Sequence, residues 1–267
     1  MPKHGPTILA LDFDGVICDG LIEYFQTAWQ VYCQIWLPTN QVPPEGLAPI
    51  FYHLRPVVET GWEMPVLIHA IRQGVPEAEI LYNWPTLAQQ YIAAEDLNKV
   101  DIAAKVDGVR DQWIATDLPH WLTQHRFFPG VIERLQQLID SSIEVVIIST
   151  KEGRFIHQLL LQQQIDFPPQ KIFGKEIRQP KHQTLRQLIQ PVSINTNSEP
   201  KIWFIEDRLK TLHIVQQQPD LTAISLFLAD WGYNTPADRD TTLQEPRIQL
   251  LSLQQFNQDF THWPRHS

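Results

Sequence analysis

The 267-residue chain is 43% hydrophobic and 19% charged, an ordinary globular balance that excludes disorder as its basic character. A net charge of -9 and a pI near 5.5 repel nucleic acid and anionic membrane at long range, so neither is expected as a bulk partner. Cys18 and Cys33 form no metal-binding pair or disulfide framework, and the ten histidines are scattered without zinc-site spacing. With no apolar run long enough to span a membrane and no long apolar stretch before the first strand, a cytoplasmic protein is expected.

Ile8 to Leu11 are four consecutive apolar residues, the pattern of a short strand buried on both faces in a parallel sheet. The run ends in Asp12-Phe13-Asp14-Gly15. Two carboxylates that close together raise each other's pKa unless a cation or proton holds them, which suits a nucleophile, an acid or a metal ligand. An acidic turn after a strand is the plain alternative. Leu21 to Gln34 has helical spacing, Pro38, Pro43, Pro44 and Pro49 read as a loop, and Val66 to Arg72, Leu87 to Ala94 and Arg110 to Trp121 read as amphipathic helices. Residues 20–125 therefore read as a helical insertion.

Pro129-Gly130 ends the insertion, and Val131, Ile132, Leu135, Leu138 and Ile139 form a stripe of helical period. A β-branched run from Glu144 then ends in the hydroxyls of Ser149 and Thr150. Helical spacing recurs at Phe155 to Leu160 and at Leu185 to Ile189, and Lys201 to Ile205 is a third apolar strand, closing on Glu206-Asp207. Leu209, Leu212 and Val215 mark another helix, Thr222 to Leu228 another strand, and Arg247 to Phe260 a final short strand and helix. This alternation predicts an α/β fold with a Rossmann-like, doubly wound parallel sheet. The ends of its strands would bring Asp12 and Asp14, Ser149 and Thr150, and Glu206 and Asp207 to one edge, where such sheets bind ligands.

Asp-Phe-Asp-Gly-Val after an apolar strand resembles the first motif of the haloacid dehalogenase-like superfamily. The second, third and fourth motifs are matched in order by Ser149 (followed by Thr150-Lys151 where relatives often carry Asn-Lys), Lys181 and Glu206-Asp207. Thr150 is an alternative to Ser149, Lys175 a rival of Lys181, and Glu206-Asp207 could be a helix cap. The resemblance covers residues 7–19 and 127 to about 233. It implies a catalytic core of residues 1–19 and 126–267, with residues 20–125 as an α-helical cap of the first type that carries substrate selectivity. Asp12 is then the nucleophile, Asp14 the general acid and base, Ser149 a phosphoryl hydrogen-bond donor and Lys181 a charge-neutralising group. Asp12, the Asp14 backbone carbonyl, Asp207 and Glu206, the last directly or through water, would hold Mg²⁺, which carboxylates facing a phosphate require.

The implied activity is hydrolysis of a small phosphorylated metabolite, such as a sugar phosphate or a phosphoglycolate-like acid, by a monomer or weak dimer. Within the cap, Arg55, Glu59, Trp62 and Glu63 are candidates for facing substrate, with a solvated face and structural tryptophans as the other reading. Asp14 argues against dehalogenation, which does not need a second acid. Two alternatives stay open: a β-phosphoglucomutase-like phosphotransferase, and a binding or assembly protein that keeps the fold without turnover.

Overall fold

Apolar runs and Pro/Gly punctuation set the elements of the computed structural model, which describes residues 5–189 and 200–264. The chain divides into two units, Met1–Asp19 with Phe127–Ser267, and Gly20–Arg126. It opens with β1 (Ile8–Leu11), buried throughout, and the two-residue β2 (Cys18–Asp19).

The second unit is built from α1 (Leu21–Trp36), α2 (Leu47–Leu54), α3 (Glu63–Arg72), α4 (Glu77–Ala94) and α5 (Lys99–Leu122). Phe25, Trp29, Phe51, Leu67, Trp84, Ile102 and Val106 form its own core. The stretch around Pro49 reads as a loop in sequence but is helical here. Pro49 is the third residue of α2, in the first turn, where no intrahelical partner awaits its missing N–H. α1 begins at Leu21 as expected, whereas α3, α4 and α5 begin earlier than their stripes, and α4 and α5 break regularity at Asn83 and Asp117, each two residues before a proline. No described helix is long and apolar enough to cross a membrane.

The boundary between the units falls within β3 (Arg126–Phe127), after which the first unit continues with α6 (Val131–Ile139), β4 (Glu144–Ile148), α7 (Gly153–Gln162), β5 (Ile172–Phe173) and α8 (Lys181–Ile189). It continues through β6 (Ile202–Glu206), α9 (Leu209–Gln216), β7 (Ser225–Ala229), α10 (Pro236–Leu243), β8 (Ile248–Leu251) and α11 (Leu253–Phe256). Six strands make one parallel sheet in the order β5-β4-β1-β6-β7-β8. Period-two alternation splits its side chains. Ile8, Ala10, Ile202 and Phe204 pack with Leu185, Leu209 and Leu212 of α8 and α9, while Trp203 turns the other way onto Phe227, Phe260 and Trp263. Helices therefore cover both faces. Connections run outward from β1 through β4 to β5, then from β6 through β7 to β8, so the strand order reverses around β1.

Candidate active site

The ends of β4, β1 and β6 are adjacent at this reversal. Leu11 is in register with both Ile147 and Ile205, so the next residue, Asp12, falls level with Glu206. The Asp12 N–H donates to the Ile205 carbonyl at 2.9 Å, which extends the strand's hydrogen bonding one residue into the site. Gly15 then turns the chain at φ +86°, and a Cβ there would lie 2.1 Å from Asp207 Oδ2. Both the backbone conformation and the space demand glycine.

Charge is concentrated and buried here. Lys181 Nζ sits 2.8 Å from Asp12 Oδ1 and 2.8 Å from Glu206 Oε2. Asp12 Oδ1 also accepts from Phe13 N–H at 2.7 Å, and Glu206 Oε1 accepts from Arg208 N–H at 3.1 Å. Asp207 Oδ2 accepts from Tyr233 N–H at 2.8 Å. Asp12, Glu206 and Asp207 are all buried and each offers an oxygen within 4.8 Å of the others. Burial first, then Glu206, pushes the Asp12 carboxyl from 3.8 up to about 7 in spite of Lys181. Burial and the neighbouring Asp12 push Asp207 up to about 6, and burial raises Glu206 as well. Burial opposes the Lys181 cation, but Asp12 and Glu206 outweigh it and hold its pKa above the usual range.

Lys181 pairs directly with Asp12 and Glu206 only, and a divalent cation would neutralise the charge left on the three carboxylates. The donors are all oxygen, the ligand set of a hard ion such as Mg²⁺. The residues present fit that ion.

Of the residues expected from sequence, Asp12, Lys181, Glu206 and Asp207 meet in this cluster. Ser149 is buried at the end of β4, its Oγ accepting from Lys151 N–H at 3.2 Å, whereas Thr150 is exposed. Lys175 is exposed on a single turn of 3₁₀ helix and makes no ion pair among the described residues. The Asp14 carboxylate lies outside the acidic cluster: extended geometry does not continue past Asp12, and Asp14 instead bridges to Cys18 and faces Lys151 Nζ at 3.3 Å. Both Glu206 oxygens are already engaged by Lys181 and Arg208, an arrangement that orients the lysine.

Arg55 and Glu59 belong to the helical unit. The Arg55 guanidinium lies 4.8 Å from the Tyr24 ring centre and donates to the Val58 carbonyl, and Glu59 is exposed. Trp62 is half-buried with the Lys99 ammonium over its ring. Glu63 is buried, and its carboxylate accepts from Glu59 N–H, Thr60 N–H, Thr60 Oγ1 and Trp84 Nε1. Its lone pairs are committed to folding the loop before α3, not to a substrate. Three site features escaped the sequence reading: the Lys151 ion pair, the Tyr233 N–H and the buried Asn234. Only the first left a signal, as a lysine two residues past a strand-end serine.

No family model matches the chain, and no curated protein does. Solved structures do match. A predicted phosphatase from Clostridium acetobutylicum superposes with a TM-score of 0.57 at 14% identity, covering 94% of this chain and 96% of that one. A haloacid dehalogenase-like family hydrolase from Streptococcus pneumoniae gives 0.54 at 18% identity, covering 92% and 93%. Protein tyrosine kinase A from Mycobacterium tuberculosis gives 0.51 at 14% identity, covering 88% of each chain. Taken with the order of its sheet and the acids at its strand ends, the chain has the fold of the haloacid dehalogenase-like hydrolases.

Proposed function

We propose that this protein is a Mg²⁺-dependent phosphomonoesterase that hydrolyses a small phosphorylated metabolite through an aspartyl-phosphate. The observation that carries the reading is the buried group of Asp12, Glu206 and Asp207 at the sheet's reversal point, bridged by Lys181 and followed two residues after Asp12 by a second acid. The relatives named as phosphatase and hydrolase support it.

Lys181 and Phe13 N–H both converge on Asp12 Oδ1 and hold the carboxylate in place, which supports its reading as the nucleophile. In the first half-reaction an Asp12 oxygen bonds to phosphorus as the bond to the leaving oxygen breaks, and Asp14 gives that oxygen a proton. In the second, Asp14 takes a proton from water, the water oxygen bonds to phosphorus, and the bond to Asp12 breaks to release phosphate. Lys181 offsets charge on the phosphoryl oxygens, and the Ser149 hydroxyl donates to one of them. Mg²⁺ held by Asp12, Asp207 and the Asp14 backbone carbonyl would supply further electrostatic stabilisation of those oxygens. The helical unit, in this reading, is a cap that selects the metabolite, with Arg55 and Glu59 as its candidate contacts. The protein would act as a monomer or weak dimer in the cytoplasm.

A fold shared with a protein named as a tyrosine kinase does not choose between water and another acceptor. Purified protein should release p-nitrophenol and inorganic phosphate from p-nitrophenyl phosphate in Mg²⁺, lose this with chelator, and regain it when Mg²⁺ is restored. A panel of phosphorylated metabolites ranked by kcat/KM then identifies the substrate class. Full activity in metal-free buffer, or no phosphate release from any member of the panel, would sink the reading.

A further inference from the structure

The loop after β7 wraps Asp207. Asn234 is 3% exposed, and its Nδ2 donates to the Asp207 backbone carbonyl at 3.1 Å and to the Ala229 carbonyl at 2.7 Å. The amide is aligned from its other end, where Arg239 Nη1 donates to Asn234 Oδ1 at 3.0 Å and to its backbone carbonyl at 3.1 Å. Tyr233 N–H holds Asp207 Oδ2, and Arg208 Nη1 in turn donates to the Tyr233 carbonyl. Space is closed as well. A Cβ on Gly232 would lie 2.3 Å from Asp207 Cβ and 2.4 Å from the Gly15 carbonyl oxygen. Asp207 is therefore clasped between two glycines, with its carboxylate tied on one oxygen and its backbone tied by Asn234.

We propose that Asn234, aligned by Arg239, is a positioning residue for a divalent cation: it fixes Asp207 in the orientation that groups its carboxylate with Asp12 and Glu206. The proposal rests on the reading of Asp207 as a cation ligand. A carboxylate oriented before the ion arrives loses little freedom on binding, whereas one hinged on a free backbone must be ordered by the ion itself. Asn234 suits this task because one planar amide can donate to two carbonyls while its oxygen accepts from Arg239.

Mn²⁺ serves as the probe, since it accepts oxygen ligands and its free ion is counted by electron paramagnetic resonance. The full-length protein is titrated without substrate as wild type, Asn234→Ala, Arg239→Ala and Asp207→Asn, with near-ultraviolet circular dichroism as the check on folding. Asn234→Ala should raise the Mn²⁺ Kd by about 10- to 100-fold, the range seen when groups that orient metal ligands are lost. Arg239→Ala should move it in the same direction by less. A folded Asn234→Ala protein whose Kd lies within about twofold of wild type overturns the proposal and leaves the phosphatase reading standing. Should Asn234→Ala fail to fold, Arg239→Ala decides by the same criterion. Wild type that binds no Mn²⁺, or Asp207→Asn that binds as tightly as wild type, overturns the reading of Asp207 itself.

Discussion

Asp12→Asn should abolish phosphate release from every substrate, while Asp14→Asn should convert steady hydrolysis of p-nitrophenyl phosphate into a burst. The amide at position 12 is a poor nucleophile, and neither Ser149 nor Lys181 can replace it without moving the substrate. The effect at position 14 depends on the step. A nitrophenolate leaves without much need of a proton near neutral pH, so the first half-reaction tolerates the loss of the acid. Water still needs a base, and general acid-base help is worth about 10²- to 10⁴-fold, so breakdown of the aspartyl-phosphate becomes limiting. Rapid mixing should show about one equivalent of nitrophenol per site, and acid-quenched Asp14→Asn should carry phosphate on Asp12. Equal loss of both phases with no phosphorylated enzyme would remove Asp14 from the chemistry and leave it a partner of Lys151.

The second large effect is on stability and needs no substrate. Burial pushes the Asp12 carboxyl up to about 7 and that of Asp207 up to about 6, against 3.8 for an ordinary aspartate. Between those values the folded chain binds more protons than the unfolded chain. The contribution of these groups to stability therefore falls as pH rises from about 4 and is fully lost above about 7. Each unit of difference is worth about 1.4 kcal/mol, and the pair titrates as a coupled unit. A bound cation favours the ionised carboxylates and removes the penalty. Thermal melts at pH 5 and pH 8, each with chelator and with Mg²⁺, should give a Mg²⁺-induced rise in Tm that is larger at pH 8 by about 5 °C or more. A rise equal at both pH values would mean that the cation binds elsewhere.

The strands β1, β4 and β6 were legible because each is a compact, largely apolar run that ends abruptly in a polar residue, and burial on both faces of a parallel sheet demands such runs. Asp12, Ser149 and Glu206-Asp207 were legible for the same reason: the position of an acid after a strand is a statement about the sheet's edge. What escaped depended on geometry that sequence does not encode locally. The two-residue β5 is too short for any period, and α10 declares itself through the Thr235–Asp238 capping box more than through an apolar stripe. Proline misled at α2, where its position in the first turn mattered more than its identity. The Tyr233 N–H that holds Asp207 is a backbone group, which every residue but proline carries, and Glu63 looked like a substrate contact only until its four donors were visible.

The central placement of β1 also sets an order of events during synthesis. Ile8 finds its neighbours in Glu144 and Ile202, so β1 leaves the ribosome before its partners and waits for the entire helical unit and more before either flank exists. The helical unit has an independent apolar core and contacts that are closer in sequence, which favours its earlier closure. With only four residues, β1 offers a short unpaired edge during that wait, a modest template for association with other chains. In pulsed hydrogen exchange during refolding, the amides of Leu9 to Leu11 should gain protection after those of α1 and α3; protection in the reverse order would show that the distant partners find β1 before the intervening helices consolidate.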